Sequence, residues 1–235
     1  MNKQVNPGGI DMSPLMTRPE KVALVALGMS SRSFINTAMS NATMRSPFDE
    51  VWTVNRGFAG FRHDKLFVMD DLKWLEREKP DYAAWLKKHK MPIITSTVYG
   101  DYPTAIPYPI LETIEFLEDD IHTVNTVSYA VAYAMYIGVK ELCLYGCDFT
   151  YKNGITVEEG GLAVAYLLGR FKELGMRHTL PGETTMLYAN KVVQRPDGSI
   201  GRPAYGYHRL TEMAKEDALD KQRKQRKKLN KKGSK

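Results

Sequence analysis

Short apolar runs that each stop at a glycine, an asparagine or an aspartate are the feature that most restricts the fold of this chain. "VALVAL" is followed by Gly28, "VWTV" by Asn55, "LFVM" by Asp70 and "ELCLY" by Gly146. Continuous apolar runs of this length are typical of strands that are buried on both faces of a parallel sheet. Segments with helical spacing separate the runs. We therefore predict an α/β fold, a single Rossmann-like, doubly wound and mostly parallel sheet with helices on both faces.

The residues at the strand ends predict where a ligand binds. In a doubly wound sheet, ligands lie outside the carboxyl ends of the strands, in the crevice where the strand order reverses. The small and polar residues that follow the predicted strands are therefore expected to converge on one edge of the sheet. They are Gly28, Asn55, Asp70, Gly146 and Asp148.

The sequence predicts one large domain with a segment on either side. Residues 1–20 mix proline, glycine and polar residues without periodicity and are expected to be a flexible lead-in. Residues 21–205 are predicted to form the nucleotide-binding domain, since an apolar content of 43% is enough to fill one core. Within it, "MRHTL" (176–180) is predicted as a last central strand, and the tyrosine-rich residues 97–110 as a surface loop. Residues 206–235 are predicted to be a helix that continues into a basic tail.

The positive net charge of the chain is concentrated in that tail. Residues 221–235 (Lys221–Lys235) hold nine Lys or Arg and no acid, so residues 1–220 carry a net charge of −3 although the whole chain carries +6. A block of like charges stays solvated and attracts polyanions through counterion release. Either the tail binds nucleic acid or it is a solubilising terminus.

Several classes of protein are not expected from this sequence. The longest apolar runs fall short of the roughly 20 residues that a membrane span requires, so no membrane partner is predicted. The first residues lack a basic and apolar leader. Cys143 and Cys147 stand four apart with no zinc-ligand pattern, and a disulfide across one strand end would be strained. We expect two buried thiols in a cytoplasmic protein.

The turn after the first strand is a candidate phosphate site. "GMSSRS" contains neither GxGxxG nor GxxxxGK[ST], so the dinucleotide and P-loop motifs are absent. Gly28 permits a sharp turn, and Ser30 and Ser31 precede a helix whose N-terminal amides favour an anion. The alternative is an ordinary turn with a serine cap.

Other polar residues extend this candidate site. The Asn55 amide is suited to hydrogen bonds with a base or ribose, and Arg56 to neutralising a phosphate. Asn125 and Thr126 stand before a second helix and offer an amide and a hydroxyl to phosphate or ribose.

Two acids after the third strand have two interpretations. Asp70 and Asp71 either hold a divalent ion together with a diphosphate or cap the next helix.

These motifs together resemble a known family. The order "VALVALGMSSRSF", "EVWTVNRG", "LFVMDD" and "NTVSYAVAYAMYIGVKELCLYGCDFTY" is similar to bacterial sialyltransferases that use CMP-sialic acid and to the related domain of motility accessory factors. The resemblance covers about residues 21–190. It implies that the nucleotide is contacted by residues of the glycine turn, of the second strand end and of the segment before the long helix. These residues are Gly28, Ser30, Ser31, Asn55, Asn125 and Thr126, with Asp148 bordering the same pocket. Gly146, by its position at a strand end, is a further candidate for nucleotide binding.

The resemblance also bears on which residue could be the general base. The family's catalytic histidine lies between the "DF" strand end and the next helix, and "TYKNGITVEEGG" contains none. Glu158 and Glu159 occupy roughly that place. A buried carboxylate with a raised pKa can act as a base, which makes Glu158 the first candidate and Asp148 the second.

The expected activity is therefore that of a glycosyltransferase whose donor substrate is a nucleotide-activated sugar. No cofactor is required by the sequence, and a divalent metal is an open option. The basic tail favours a modified base in DNA as the acceptor, as in a phage enzyme. Two alternatives remain. One is a nucleotide pyrophosphokinase or hydrolase that depends on Mg²⁺ through Asp70, and the other is a non-catalytic nucleotide-binding protein.

Overall fold

The strands form where leucine, β-branched and aromatic residues run without a break, because such side chains fill both faces of a central sheet. A computed structural model of the chain describes residues 11–39, 47–60, 62–118, 123–149, 155–188, 193–194 and 200–201. Within these ranges the main strands are β1 (Lys21–Val25), β2 (Glu50–Val54), β3 (Lys65–Val68), β4 (Ile93–Thr95), β5 (Ala105–Pro107), β6 (Glu141–Tyr145) and β7 (Arg177–Thr179).

Helices connect these strands and cover the sheet. They are α1 (Arg32–Met39), α2 (Leu72–Glu78), α3 (Pro80–Lys87), α4 (Ile110–Leu117), α5 (Thr126–Tyr136) and α6 (Ile155–Glu173). The Asp71 carboxylate accepts a hydrogen bond from the Trp74 amide and caps α2, which ends before Pro80 because a proline cannot donate the next helical hydrogen bond. The predicted division of this region at Pro80 is thus confirmed.

The sheet is doubly wound. Its strands are all parallel, in the order β5-β4-β3-β2-β1-β6-β7. The chain adds strands outward from β1 as far as β5 and then crosses to the other side of β1 to begin β6. The reversal therefore falls between β1 and β6, and the carboxyl ends of these two strands define the place where such folds bind ligands.

The predicted fold class is confirmed, with corrections at both edges of the sheet. The segment expected to be a surface loop (97–110) contains β5 and the first residue of α4. Sequence periodicity missed β5 because three residues are too few to show it. The predicted last central strand is β7, which pairs only with β6 and lies at the edge with partly exposed side chains. The helix and tail predicted for residues 206–235 lie outside the described residues.

The core between the sheet and α5 is aromatic. Trp52, Phe67 and Tyr133 are fully buried, and their ring centroids are separated by 5.4–5.7 Å. Helix α5 is buried from Thr126 to Met135 except at the partly exposed Tyr129, as expected for a helix that is apolar around its whole circumference. Because α5 is fixed along its length, its N-terminus is held rigidly at the carboxyl edge of the sheet.

The chain divides into two compact units, Met1–Leu187 and Tyr188–Lys235. The first contains the seven-stranded sheet. In the second, the described residues form an antiparallel pair, β8 (Val193–Gln194) and β9 (Ile200–Gly201). In the described parts of the chain, no helix combines the length and the apolar character that a bilayer crossing requires.

Candidate functional site

Two glycines bring the ends of β1 and β6 into close contact. The Gly28 amide donates to the Gly146 carbonyl over 2.8 Å, which extends the strand pairing beyond β1 and β6. A Cβ on Gly28 would stand 2.5 Å from Asp148 Oδ2 and 2.6 Å from the Gly146 oxygen. Gly146 has φ +68° and would place a Cβ 2.3 Å from the Ala26 oxygen. Both positions therefore require glycine, the second also because of its left-handed backbone.

The carboxylate of Asp148 holds the turn that follows Gly28. Asp148 is buried, and its Oδ2 accepts a hydrogen bond of 2.8 Å from the Ser30 amide. Its Oδ1 accepts one of 2.6 Å from the Ser30 hydroxyl, which itself accepts from the Gly146 amide over 2.9 Å. The 3-10 turn Met29–Ser31, which leads into α1, is thus fixed to the end of β6. Hydrogen bonds to a carboxylate are shorter and stronger than those between neutral groups.

A third segment contacts the same carboxylate. After β7, the buried Thr184 hydroxyl donates to Asp148 Oδ1 over 2.6 Å, and the Thr185 hydroxyl donates to the Asp148 carbonyl. The Ser33 hydroxyl on α1 donates to Glu183 over 2.7 Å. The segment 183–185 therefore joins the turn before α1 to the end of β6.

A cleft of about 160 Å³ opens beside this network, at the carboxyl ends of β1, β2 and β6. This volume corresponds to roughly five water molecules, about the size of one base or sugar ring. The residues that line the cleft come from the three strand ends and from the start of α5. They are Ala26, Leu27, Val54, Asn55, Asn125, Thr126, Val127, Gly146, Cys147, Asp148 and Phe149.

The two polar side-chain atoms of Asn125 differ in their hydrogen bonding. Its Oδ1 accepts from the Ser128 amide over 2.9 Å, and the Ser128 hydroxyl accepts from the Asn125 amide over 3.1 Å, which forms a capping box at the start of α5. Its Nδ2 is buried and has no hydrogen-bond partner. Because the Ser128 amide holds Oδ1 in the cap, the side-chain amide of Asn125 cannot rotate to bring Nδ2 to an acceptor. An unsatisfied buried donor costs about 1–3 kcal/mol.

Asn55 faces α5 across the cleft. It adopts a left-handed conformation (φ +49°), which asparagine tolerates better than most residues. Its Oδ1 lies 3.5 Å from the Thr126 hydroxyl, the first residue of α5. The amide groups of Thr126 and Val127 belong to the first turn of the helix, where amides lack intrahelical acceptors and favour an anion.

The structure brings some of the predicted residues together in this cleft. Asn55, Asn125, Thr126 and Gly146 line it, and Gly28 packs directly behind Gly146.

Ser30 and Asp148 have a different environment from the one we expected. Ser30 is 1% exposed, and its hydroxyl is used in one bond to Asp148 and one from Gly146. It is therefore not available to a ligand, whereas Ser31 is half-buried. The Asp148 side chain accepts three hydrogen bonds, so both of its oxygens stabilise the turn. This arrangement favours a structural role for Asp148 over the expected role of a base.

Two other predicted residues do not line the cleft. The guanidinium of Arg56 lies over the ring of Tyr82 on α3, 5.0 Å from its centroid. Asp70 is exposed after β3, two strands away from β1. Asp71 caps α2, in agreement with the second of its two interpretations. Within the described ranges, no three His, Cys, Asp or Glu side chains are grouped as metal ligands.

Glu158 lies in the first turns of α6, and its side chain is outside the described residues. Two residues further along, Gly160 contacts the site directly. A Cβ on Gly160 would stand 2.4 Å from Asn125 Nδ2 and 3.3 Å from the Phe149 ring. This glycine therefore allows α6 to approach the capped start of α5.

Cys147, which lines the cleft, is a weak nucleophile because its thiol stays protonated. Burial raises the pKa of the Cys147 thiol well above its usual range, with a smaller contribution from Asp148. Burial likewise raises the pKa of Cys143 to about 11. Both cysteines are free and buried, as predicted, and both stay protonated at neutral pH.

Two larger clefts lie away from this edge. One of about 650 Å³ is lined by Lys90, Pro92 and Thr104, which precede β4 and β5. Another of about 320 Å³ is lined by Glu141, Arg177 and neighbouring residues, where β6 and β7 begin. Both lie toward the amino ends of strands, whereas ligands of doubly wound sheets bind at the carboxyl ends. We therefore assign the functional site to the smaller cleft.

The contributions of Thr184, Phe149 and Gly160 were not predicted from the sequence. "GETT" after β7 has the composition of an ordinary turn, and nothing in its spacing indicates Asp148 as a partner. Phe149 lines the cleft with a left-handed backbone (φ +50°), a conformation that is uncommon for an aromatic residue.

No protein-family model matches this chain, and no curated protein matches it significantly. Solved structures of the sialyltransferase CstII from Campylobacter jejuni are similar. The complex with the substrate analogue CMP-3FNeuAc is 16% identical, covers 73% of this chain and 84% of that chain, and has a TM-score of 0.44. The complex with cytidine-5'-monophosphate is 18% identical, covers 68% of this chain and 79% of that chain, and has a TM-score of 0.40.

A further CstII complex, with a trisaccharide acceptor and CMP, is 15% identical, covers 79% of this chain and 92% of that chain, and has a TM-score of 0.43. With TM-scores below 0.5, these likenesses do not define the activity of this chain. What its own fold and site define is a doubly wound α/β protein with a small polar cleft at the point where the strand order reverses.

The close contact at Gly28 predicts a large cost for any side chain there. We expect Gly28→Ala to reduce the free energy of unfolding by about 1–3 kcal/mol, because the new Cβ would overlap Asp148 and Gly146. Gly100→Ala is the matched control, since a Cβ there meets no atom within 4 Å. Equilibrium unfolding in urea measures the free energy of unfolding of both variants. Equal stability of the two variants would show that the contact is not required.

Proposed function

We propose that this protein is a glycosyltransferase that holds one ring of the nucleotide part of a nucleotide-activated sugar in the cleft between β1, β6 and α5. The observation that carries this proposal is a cleft at the strand reversal whose lining includes Asn55, Asn125 and Thr126 at the start of a buried helix. Polar donors at the carboxyl ends of the strands fit a nucleotide, whose carbonyl, ribose and phosphate oxygens are acceptors.

The other groups of the cleft fit the same ligand. The first turn of α5 offers backbone amides and the positive end of an eleven-residue helix to a phosphate. Asn55 and Thr126 provide an amide and a hydroxyl, which both donate and accept, for the base or ribose. Leu27, Val54 and Phe149 supply apolar contacts for a ring. In this proposal Gly28 and Gly146 act by allowing the close approach of the backbone.

The transfer step follows from the donor. A general base removes the proton from an acceptor hydroxyl, whose oxygen forms a bond to the anomeric carbon of the sugar while the bond from that carbon to the phosphate oxygen breaks. The nucleotide leaves with the electron pair. We assign the base to Glu158, which lies in the first turns of α6 soon after the end of β6, because the oxygens of Asp148 are already occupied.

Asn55→Gly tests nucleotide binding. Glycine retains the left-handed backbone of Asn55 and removes only the side chain, so we expect the dissociation constant for the best ligand in a panel of nucleotides and nucleotide sugars to rise about 3–10-fold. Calorimetric titration measures this. Glu118→Gly is the matched control, since Glu118 has the same backbone conformation (φ +51°) at the end of α4. If no nucleotide binds the unaltered protein, the proposal is wrong.

Glu158→Gln tests the chemical step. We expect turnover, followed as release of the nucleotide from the donor sugar, to fall by at least about 100-fold while donor affinity is unchanged. The control is Glu159→Gln, which removes the neighbouring carboxylate. Full activity of Glu158→Gln would exclude Glu158 as the base. Tight nucleotide binding without turnover by the unaltered protein would instead indicate a non-catalytic binding protein.

For the acceptor we propose a hydroxylated base in DNA. Support comes from the charge of the chain, since nine Lys and Arg residues lie within 221–235 while the remainder is mildly acidic. Such a segment binds the phosphate backbone without sequence preference and brings the enzyme to its acceptor.

Removing the charge of the tail tests this acceptor. With all nine Lys and Arg of residues 221–235 replaced by Gln, we expect DNA affinity to fall and its dependence on salt to become shallower, because fewer counterions are released. Fluorescence anisotropy between about 50 and 200 mM salt measures both quantities. Nucleotide affinity serves as the internal control and is expected to stay unchanged. An unaltered salt dependence would contradict a DNA acceptor recruited by the tail.

A further inference from the structure

The segment after β7 contacts the hydrogen-bond network behind the cleft without lining the cleft itself. Thr184 is 1% exposed and donates its hydroxyl proton to Asp148 Oδ1 over 2.6 Å. Its oxygen also accepts from the Met186 amide over 3.2 Å, which orients the hydroxyl toward Asp148. The Thr184 hydroxyl is therefore engaged both as a donor and as an acceptor.

The Asp148 carboxylate depends on this hydroxyl. A buried carboxylate must have its charge balanced by donors, since a buried ion without them is strongly destabilising. The Asp148 side chain accepts hydrogen bonds from three donors, of which two belong to Ser30 and one to Thr184. Loss of the Thr184 hydroxyl would leave Oδ1 with the Ser30 hydroxyl alone, and that hydroxyl also has to hold the Gly146 amide.

The same bonds determine the shape of the cleft. Gly146 and Asp148 line it directly, and Ser30 fixes the turn that carries Gly28 against Gly146. A shift of Asp148 would be transmitted to these backbone groups because they share its hydrogen bonds.

We propose that Thr184 is a positioning residue for nucleotide binding, acting through Asp148 on the Gly28 turn and on the Gly146 wall of the cleft. This inference rests on the proposed function, since it assigns a further residue to the same site. Thr185 and Glu183 assist by anchoring the segment to the Asp148 carbonyl and to Ser33 on α1.

Thr184→Val tests this role, because valine has nearly the shape of threonine and lacks only the hydroxyl. We expect the dissociation constant for the best-binding nucleotide to rise about tenfold. Thr184→Ser, which restores the hydroxyl, is expected to bind within about twofold of the unaltered protein.

Thr113→Val is the matched control for loss of stability. Thr113 on α4 is equally buried, and its hydroxyl donates over 2.6 Å to the carbonyl of Pro109, the residue before α4, away from the residues of the cleft. We expect it to lower the unfolding temperature, by less than Thr184→Val because the Pro109 carbonyl still accepts from the Thr113 amide, and to change the dissociation constant by less than about twofold.

The outcomes separate this inference from the proposed function. Nucleotide binding by the unaltered protein together with unchanged binding by Thr184→Val overturns the role of Thr184 alone. Equal weakening by Thr184→Val and Thr113→Val shows a general effect of stability and also overturns it. If the unaltered protein binds no nucleotide, both proposals are overturned.

Discussion

The buried carboxylate of Asp148 is the interaction on which the functional edge of this protein depends. It receives hydrogen bonds from the turn after β1 and from the segment after β7, and it lies directly after the end of β6. A buried charge needs several donors, so these three segments can adopt their positions only together. The two glycines that flank the carboxylate make this approach possible because no Cβ fits between the strand ends.

This network divides the residues of the strand ends into two groups. Ser30 and Asp148 satisfy each other and are closed to solvent, so they provide rigidity. Asn55, Asn125 and Thr126 line the open side, and the Nδ2 of Asn125, which is buried beside Gly160, has no acceptor. Stable proteins rarely leave such a donor buried, and the exceptions are explained by stored strain, a catalytic role or a bound water or ion. Rigid support behind a polar cleft is the arrangement expected of a site that is formed before its ligand arrives.

The fold was predictable because its signals are local. Unbroken apolar runs at Val22, Val51, Leu66 and Leu142 predicted buried parallel strands, and a glycine, asparagine or aspartate soon after each predicted the ligand edge. The errors occurred where elements are short. β5 has only three residues, and the three residues of β7 could not indicate whether the strand was central or at the edge.

The sequence by itself therefore determined the class of fold and the strand ends that form the carboxyl edge of the sheet, because these follow from apolar runs along the chain. That Gly28 and Gly146 accept only glycine depends on Asp148 and Ala26, which the folded sheet brings against them. Only the tertiary structure decided which polar groups remain available. Ser30 lies 118 residues from Asp148 and Thr184 lies 36 residues from it, and no periodicity connects side chains so far apart. Whether a hydroxyl binds a ligand or a carboxylate depends on which segments the folded sheet brings together, and that is a property of the packed molecule alone.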